Sequence, residues 1–269
     1  MLAVLVALSL SQTAPPPQEL RWDPRVDIPV TGALVTGWLL SELAFKKDLG
    51  PPTCRWCETN GFDVAVRGLF VPSMQPSASG ISGPDVASNV IGFGVLPVAL
   101  IGLDALFTWR DGGRADTFLV DVLLILEATF VSLSVNQVVK FAVGRGRPYT
   151  VGASPELLAT GRDPPDNNLS FFSGHANYAF VLVSSAATVA TLRGYRLAWL
   201  MWLVGLPLAT ATSVLRIAGD KHWATDVLVG SAFGVAVGIL LPKFLHGRVG
   251  PVTARLSPMP NGLGISGQF

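Results

Sequence analysis

Six long apolar stretches, parted by short charged or glycine-rich breakers, dictate what this chain can become. They run approximately Ile28–Phe45, Ala87–Phe107, Phe118–Val139, Ala176–Leu192, Leu197–Leu215 and Ala224–Leu245. Ala87–Leu103 and Leu197–Leu215 carry no charge at all, and runs of about 20 mostly apolar residues are what a membrane helix needs. The first stretch is weaker, with Glu42 near its end and Lys46-Lys47 just after. Trp109–Arg114 closes the second stretch and Arg193–Arg196 the fourth, while a polar loop, Pro148–Asn168, separates the third from the fourth. Charged residues make up 14% of the chain, against about 25% in an average soluble domain. The expected fold is therefore all-α, a bundle of about six helices in a bilayer. Gly230, Gly234 and Gly238 at i, i+4 and i+8 of the last stretch predict close helix contact along one face. A net charge of +1 gives no footprint for nucleic acid.

The ends and the cysteines add detail. Met1–Leu10 is apolar but too short to span, which fits the core of a signal peptide over residues 1–14. Residues 15–86 then form an N-terminal helix and an extracytoplasmic loop, 87–246 the catalytic helical core and 247–269 an irregular tail, a loop or a short strand. The two cysteines form one C-x-x-C, Cys54–Cys57. With no second pair to complete a zinc site, a local disulfide or two free thiols in an exported loop are expected. The arginine pairs Arg110/Arg114 and Arg193/Arg196 lie in short loops and place those loops in the cytoplasm by the positive-inside rule. The loops after the third and fifth stretches then face outward. A cleaved signal followed by six spans would reverse this, so either the signal stays or the first stretch does not fully span.

Chemistry concentrates on that outward side. The third stretch ends in Lys140-Phe141-Ala142-Val143-Gly144-Arg145-Gly146-Arg147-Pro148, the fourth opens with Ser170-Phe171-Phe172-Ser173-Gly174-His175, and the fifth runs into Arg216 through Asp226. Lys140, Arg147 and Arg216 suit a phosphate dianion, arginine as a planar fork and lysine as a point charge. Ser173 and Gly174 mark a helix start, where free amides and the helix dipole favour anions. His222 and Asp226 stand at i and i+4, one face if a helix begins there. A carboxylate behind an imidazole fixes its tautomer and strengthens the other nitrogen as a nucleophile. His175 is then free to protonate a leaving oxygen. Asp121 and Glu127, within the third stretch, are assigned to bundle packing or the cytoplasmic edge, and His246 to the inner interface.

In order and spacing, K-x6-R-P at Lys140–Pro148, S-G-H at Ser173–His175 and R-x5-H-x3-D at Arg216–Asp226 closely resemble the three motifs of the type 2 phosphatidic acid phosphatase superfamily, which shares its site with vanadium haloperoxidases. Phe172 departs from the family's usual proline before S-G-H, and Leu215 replaces the frequent serine before the arginine. The resemblance implies a two-step displacement without metal or cofactor. His222 forms a phosphohistidine while Asp226 holds its ring, and His175 serves the leaving group and then water. Lys140, Arg147, Arg216 and the Ser173 and Gly174 amides stabilise the equatorial oxygens. The implied partners are the bilayer and a lipid phosphate: phosphatidic acid, phosphatidylglycerol phosphate, a polyprenyl pyrophosphate or a lipid A phosphate. No protein partner is expected, and a bacterial-type inner membrane with an outward-facing site is. A soluble periplasmic acid phosphatase or a phosphotransferase on the same site are alternatives. A non-catalytic lipid-binding or transport protein on this scaffold is the alternative of another class.

Overall fold

The computed structural model describes residues 16–71, 82–159 and 164–247, and the backbone of 253–259 and 262–268. The expected signal peptide, residues 1–14, lies outside the described residues. Each apolar stretch is a helix: α1 (Asp27–Leu43), α3 (Gly83–Arg110), α4 (Ala115–Val143), α5 (Gly174–Arg193), α6 (Trp199–Ala218) and α7 (Ala224–His246), with a shorter α2 (Gly61–Phe70) between the first two. The α3 run passes through a π-helical turn at Val90–Val95. In place of an irregular tail, β1 (Thr253–Met259) and β2 (Gly262–Gln268) pair as an antiparallel hairpin.

Local chemistry sets the helix ends. Asn60 and Ser82 cap α2 and α3 by accepting from Asp63 N (2.9 Å) and Asp85 N (3.3 Å). α4 stops at Gly144 and α5 at Gly194, both left-handed (φ 60° and 78°).

Helix α5 is the bundle axis, packed by α4, α6 and α7 and with 14 of its residues buried. Its Ser184–Thr191 segment is built from small and hydroxyl-bearing residues that let neighbours approach. The expected glycine face does this from α7: a Cβ on Gly234 would stand 2.6 Å from Asn177 O and 2.9 Å from Val181 N. Backbone cannot yield as a side chain can, so Gly234→Ala is expected to cost about 1–3 kcal/mol, read as a lower melting temperature in detergent with helical content retained.

Outside the bundle the pattern inverts. Val98, Trp109, Leu203 and Phe244 are 73%, 80%, 58% and 73% exposed, and α3, α4, α6 and α7 are each long and apolar enough to cross a membrane. Such apolar exteriors on helices of this length mark a membrane protein. α1, at 17 residues, also exposes Ile28, Leu40 and Leu43, whereas α5 spends its surface on its neighbours.

One buried carboxylate of the bundle pairs internally. Asp121 accepts from Arg193 Nε (2.6 Å) and Tyr195 OH (2.8 Å), which agrees with its assignment to packing. Arg193 is thus an internal ion-pair partner rather than a free loop cation.

Candidate active site

The three motifs meet at one end of the bundle. The first leaves α4 with Lys140 in its last turn, bends at Gly144 and runs through Arg145 and Arg147. The second supplies Ser170 and the start of α5, and the third supplies Arg216 from the last turn of α6 and His222 just before α7.

His222 is 1% exposed. Its Nδ1–H donates to the Ser170 carbonyl at 2.8 Å, and Arg147 Nη1 donates to its Nε2 at 3.2 Å. Those partners fix the tautomer: the proton sits on Nδ1 and the Nε2 lone pair faces the cations. Burial first, then the charges of Arg147, Arg216 and Lys140, holds its pKa well below the ordinary 6.5. A depressed pKa keeps the imidazole neutral as acid is added, and nucleophilicity is lost only as pH falls through the lowered value. The acid limb of kcat/KM is therefore expected below pH 6.5, and an Arg147→Gln variant should move it upward. A limb at or above the ordinary histidine range, unmoved in that variant, would contradict this assignment.

Arg147, Arg216 and Lys140 all lie at this end of the bundle. Arg147 is held by Asp166, through its carbonyl (2.8 Å) and carboxylate (2.6 Å), and donates to Lys221 O at 2.8 Å. Arg147 and Lys46 draw the Asp166 carboxyl well below the carboxylate range despite its burial. Arg216 pairs with Asp85 at 2.5 Å and Ser88 Oγ at 3.1 Å, and its buried Nε has no hydrogen-bond partner among the described residues. Lys140 Nζ lies 3.1 Å from where a Cβ on Gly174 would stand, so it reaches the start of α5. His175 donates from Nε2 to Asn89 Oδ1 at 2.7 Å and meets the Phe93 ring edge-on at 4.8 Å. Lys140, Gly174 and His175 close one end of a cavity of about 270 Å³ whose other walls include Trp38, Phe93 and Leu133.

Two expectations change. Asp226 does not hold the His222 ring directly: its nearest oxygen is 3.8 Å from Nδ1, beyond hydrogen-bond length. Trp223 caps α7 and the helix starts at Ala224, so His222 lies before the helix and the i, i+4 argument does not reach it. Asp226 instead accepts from Trp223 N (3.0 Å), from Ser170 Oγ (2.5 Å) and from Arg145 Nη1 (2.5 Å). It acts at one remove, fixing the residue whose carbonyl fixes the histidine. Secondly, Ser173 N–H is committed to Asp226 O (3.0 Å), and Ser173 Oγ accepts from Ala176 N (3.4 Å). The amides of Gly174 and His175, in the first turn of α5, are the ones with no intrahelical acceptor.

Residues that sequence reasoning did not assign complete the site. Arg145 is 1% exposed and joins Asp226 (2.5 Å) to Asp63 of α2 (2.7 Å). Asp63 also accepts from Thr225 N and Oγ1, each at 2.8 Å. Arg67, one turn on, grips Asp220 with two 2.7 Å bonds. Of the two states left open for the cysteines, Cys54 and Cys57 form a disulfide. The loop it closes lays Trp56 over Arg145, 4.1 Å from guanidinium to ring, and bonds Arg55 N to Gly144 O at 2.9 Å. Phe172, in place of the usual proline, packs on Phe233 (5.2 Å) and gives its carbonyl to Asn136 Nδ2 (2.7 Å).

Residues 121–249 match the family model of the PAP2 superfamily, and this stretch contains all three motifs and most of the helical core. Among curated proteins, a lipid A 1-phosphatase of Porphyromonas gingivalis is 40% identical over 83 residues, 30% of this chain and 18% of the relative. An undecaprenyl-diphosphatase of Sulfolobus acidocaldarius is 27% identical over 110 residues, 41% of this chain and 48% of the relative. This chain thus spans less than half the length of either curated relative. Among solved structures, the transmembrane PAP2 type phosphatidylglycerolphosphate phosphatase of Bacillus subtilis aligns with a TM-score of 0.48 at 19% identity, covering 79% of this chain and 94% of that one.

Proposed function

We propose that this chain is a membrane phosphatase that removes phosphate from a lipid phosphate monoester or pyrophosphate through a phosphohistidine on His222. The observation that carries the reading is a neutral His222, tautomer fixed by Ser170, presenting its Nε2 lone pair among Arg147, Arg216 and Lys140. Nε2 attacks phosphorus, the P–O bond to the lipid breaks and the departing oxygen takes a proton from His175. Water, activated by the same His175, then cleaves the P–N bond, releasing phosphate and restoring the imidazole. The cations and the free α5 amides carry the charge on the non-bridging oxygens. The side chains offered to phosphate are cationic, and Asp166 and Asp85 are committed to Arg147 and Arg216, which supports chemistry without a metal.

The lipid class is supported by the cavity at Lys140 and His175, with apolar walls facing α1 and the π turn. It is also supported by the lipid A and undecaprenyl diphosphate named for the relatives. An outward-facing site is supported by the disulfide packed against the first motif, since disulfides persist in oxidising compartments. The test is phosphate release by the purified chain in detergent with EDTA, across a panel of lipid phosphates and one soluble phosphomonoester. Acid quench within the first turnover should trap phosphate as an acid-labile, alkali-stable adduct on the protein. Release without any such adduct would replace the covalent route by direct attack of water. Release only when an alcohol is supplied would make the chain a phosphotransferase.

A further inference from the structure

At the end of the bundle away from His222, three helices each bring one ionisable side chain to a common point. Asp27 opens α1, Glu127 lies in α4 and His246 closes α7. All three are at least nine-tenths buried, with 8%, 5% and 3% exposed. One ligand atom from each falls within 4.8 Å of the others, and His246 Nε2 is 3.4 Å from Glu127 Oε2. Asp226 lies in the first turn of α7 and His246 ends it, and at 1.5 Å per residue the cluster is about 30 Å from the proposed phosphate site, so it has no part in the chemistry there.

The local accounting is unbalanced. Two buried carboxylates face one imidazole, and among the described residues neither carboxylate is paired with a lysine or arginine. Glu127 Oε2 and His246 Nε2 are both buried without a hydrogen-bond partner among those residues. Uncompensated charge in such a place is costly. The orientations are nevertheless fixed. His246 Nδ1–H donates to Arg21 O at 3.0 Å, and Asp27 Oδ2 accepts from Asp23 N at 2.7 Å. An imidazole anchored by Nδ1–H to a backbone carbonyl, its Nε2 turned toward carboxylates, is the outer-shell arrangement of a metal ligand. Bonds of about 2.0–2.2 Å in a tetrahedral centre set ligand atoms roughly 3.4 Å apart, the separation seen between His246 and Glu127.

We propose that Asp27, Glu127 and His246 bind one divalent first-row cation, Zn²⁺ or Mn²⁺, which staples α1 to α4 and α7. One imidazole with two carboxylates and no thiolate suits these ions. A dication neutralises both carboxylates and ties together helices far apart in the chain.

The test uses the whole chain in detergent, stripped with chelator and then titrated with ZnCl₂ or MnCl₂. The expected result is about one equivalent bound per chain by mass spectrometry of the metal, with a rise in melting temperature that tracks saturation. Both effects should be lost in Glu127→Gln and His246→Gln and kept in His222→Ala. X-ray absorption on the metal-loaded wild type should show a single imidazole among oxygen ligands, a readout that does not depend on the variants folding. Equal metal content in wild type and in both cluster variants, no stabilisation of the wild type by either ion, or a shell with several imidazoles or sulfur would overturn the proposal. The cluster would then be a protonated histidine paired with Glu127.

Discussion

His222→Ala is expected to lower kcat/KM for the preferred lipid phosphate by on the order of 10⁴-fold or more, with helical content unchanged. The expectation follows from the proposed mechanism, in which His222 attacks through an Nε2 that faces Arg147 and lies near Arg216 and Lys140. The fold does not depend on that imidazole, which makes one hydrogen bond to backbone and one to Arg147. Its neighbours should respond unequally. Ser170→Ala keeps the carbonyl that receives Nδ1–H and loses only the hydroxyl bond to Asp226, so a far smaller loss is expected. Asp226→Asn should weaken stability as well as turnover, because that carboxylate caps α7 and neutralises Arg145. Phosphate release at saturating and limiting lipid, beside circular dichroism and melting in detergent, checks all three variants. A His222→Ala rate within tenfold or so of wild type would remove His222 as nucleophile.

The helices and the members of the proposed phosphate site could be read from the sequence because both are local signals. An apolar run of membrane length is helix wherever it is placed, and α4, α5, α6 and α7 begin and end within four residues of the expected stretches. Lys140, Arg147, Arg216, His175 and His222 are carried to one end of the bundle by alternation of those helices. The brace behind them was not legible. Asp63 and Arg67 belong to no motif in the sequence, and their partners Thr225 and Asp220 are 162 and 153 positions away. Neither spacing nor periodicity encodes such a pairing. Asp226 shows a different failure. The i, i+4 rule presumes a helix already under way, but His222 precedes the cap, so the carboxylate turns back to satisfy Trp223 N–H instead.

That brace makes the largest stability prediction. Arg145→Met is expected to cost about 3–5 kcal/mol, seen as a fall in melting temperature on the order of 10 °C. Methionine fills much of the volume but leaves Asp63 and Asp226, both 1% exposed or less, facing each other without the cation between them. The Trp56 ring would also lose the guanidinium it covers. The penalty is mostly that of stranded carboxylates rather than of a lost attraction, and this is what the double variant separates. Adding Asp63→Asn to Arg145→Met removes one stranded charge while Asn retains an acceptor for Thr225, so part of the lost stability should return. Asp63→Asn alone should be destabilising, since Arg145 then keeps only Asp226 as its ionic partner. Rescue in the double variant with loss in each single one is the signature of a coupled pair. Simple additivity would mean that Arg145 stabilises the site through its packing on Trp56 and Trp223, and that the chain of charge from α2 to the nucleophile has no energetic weight.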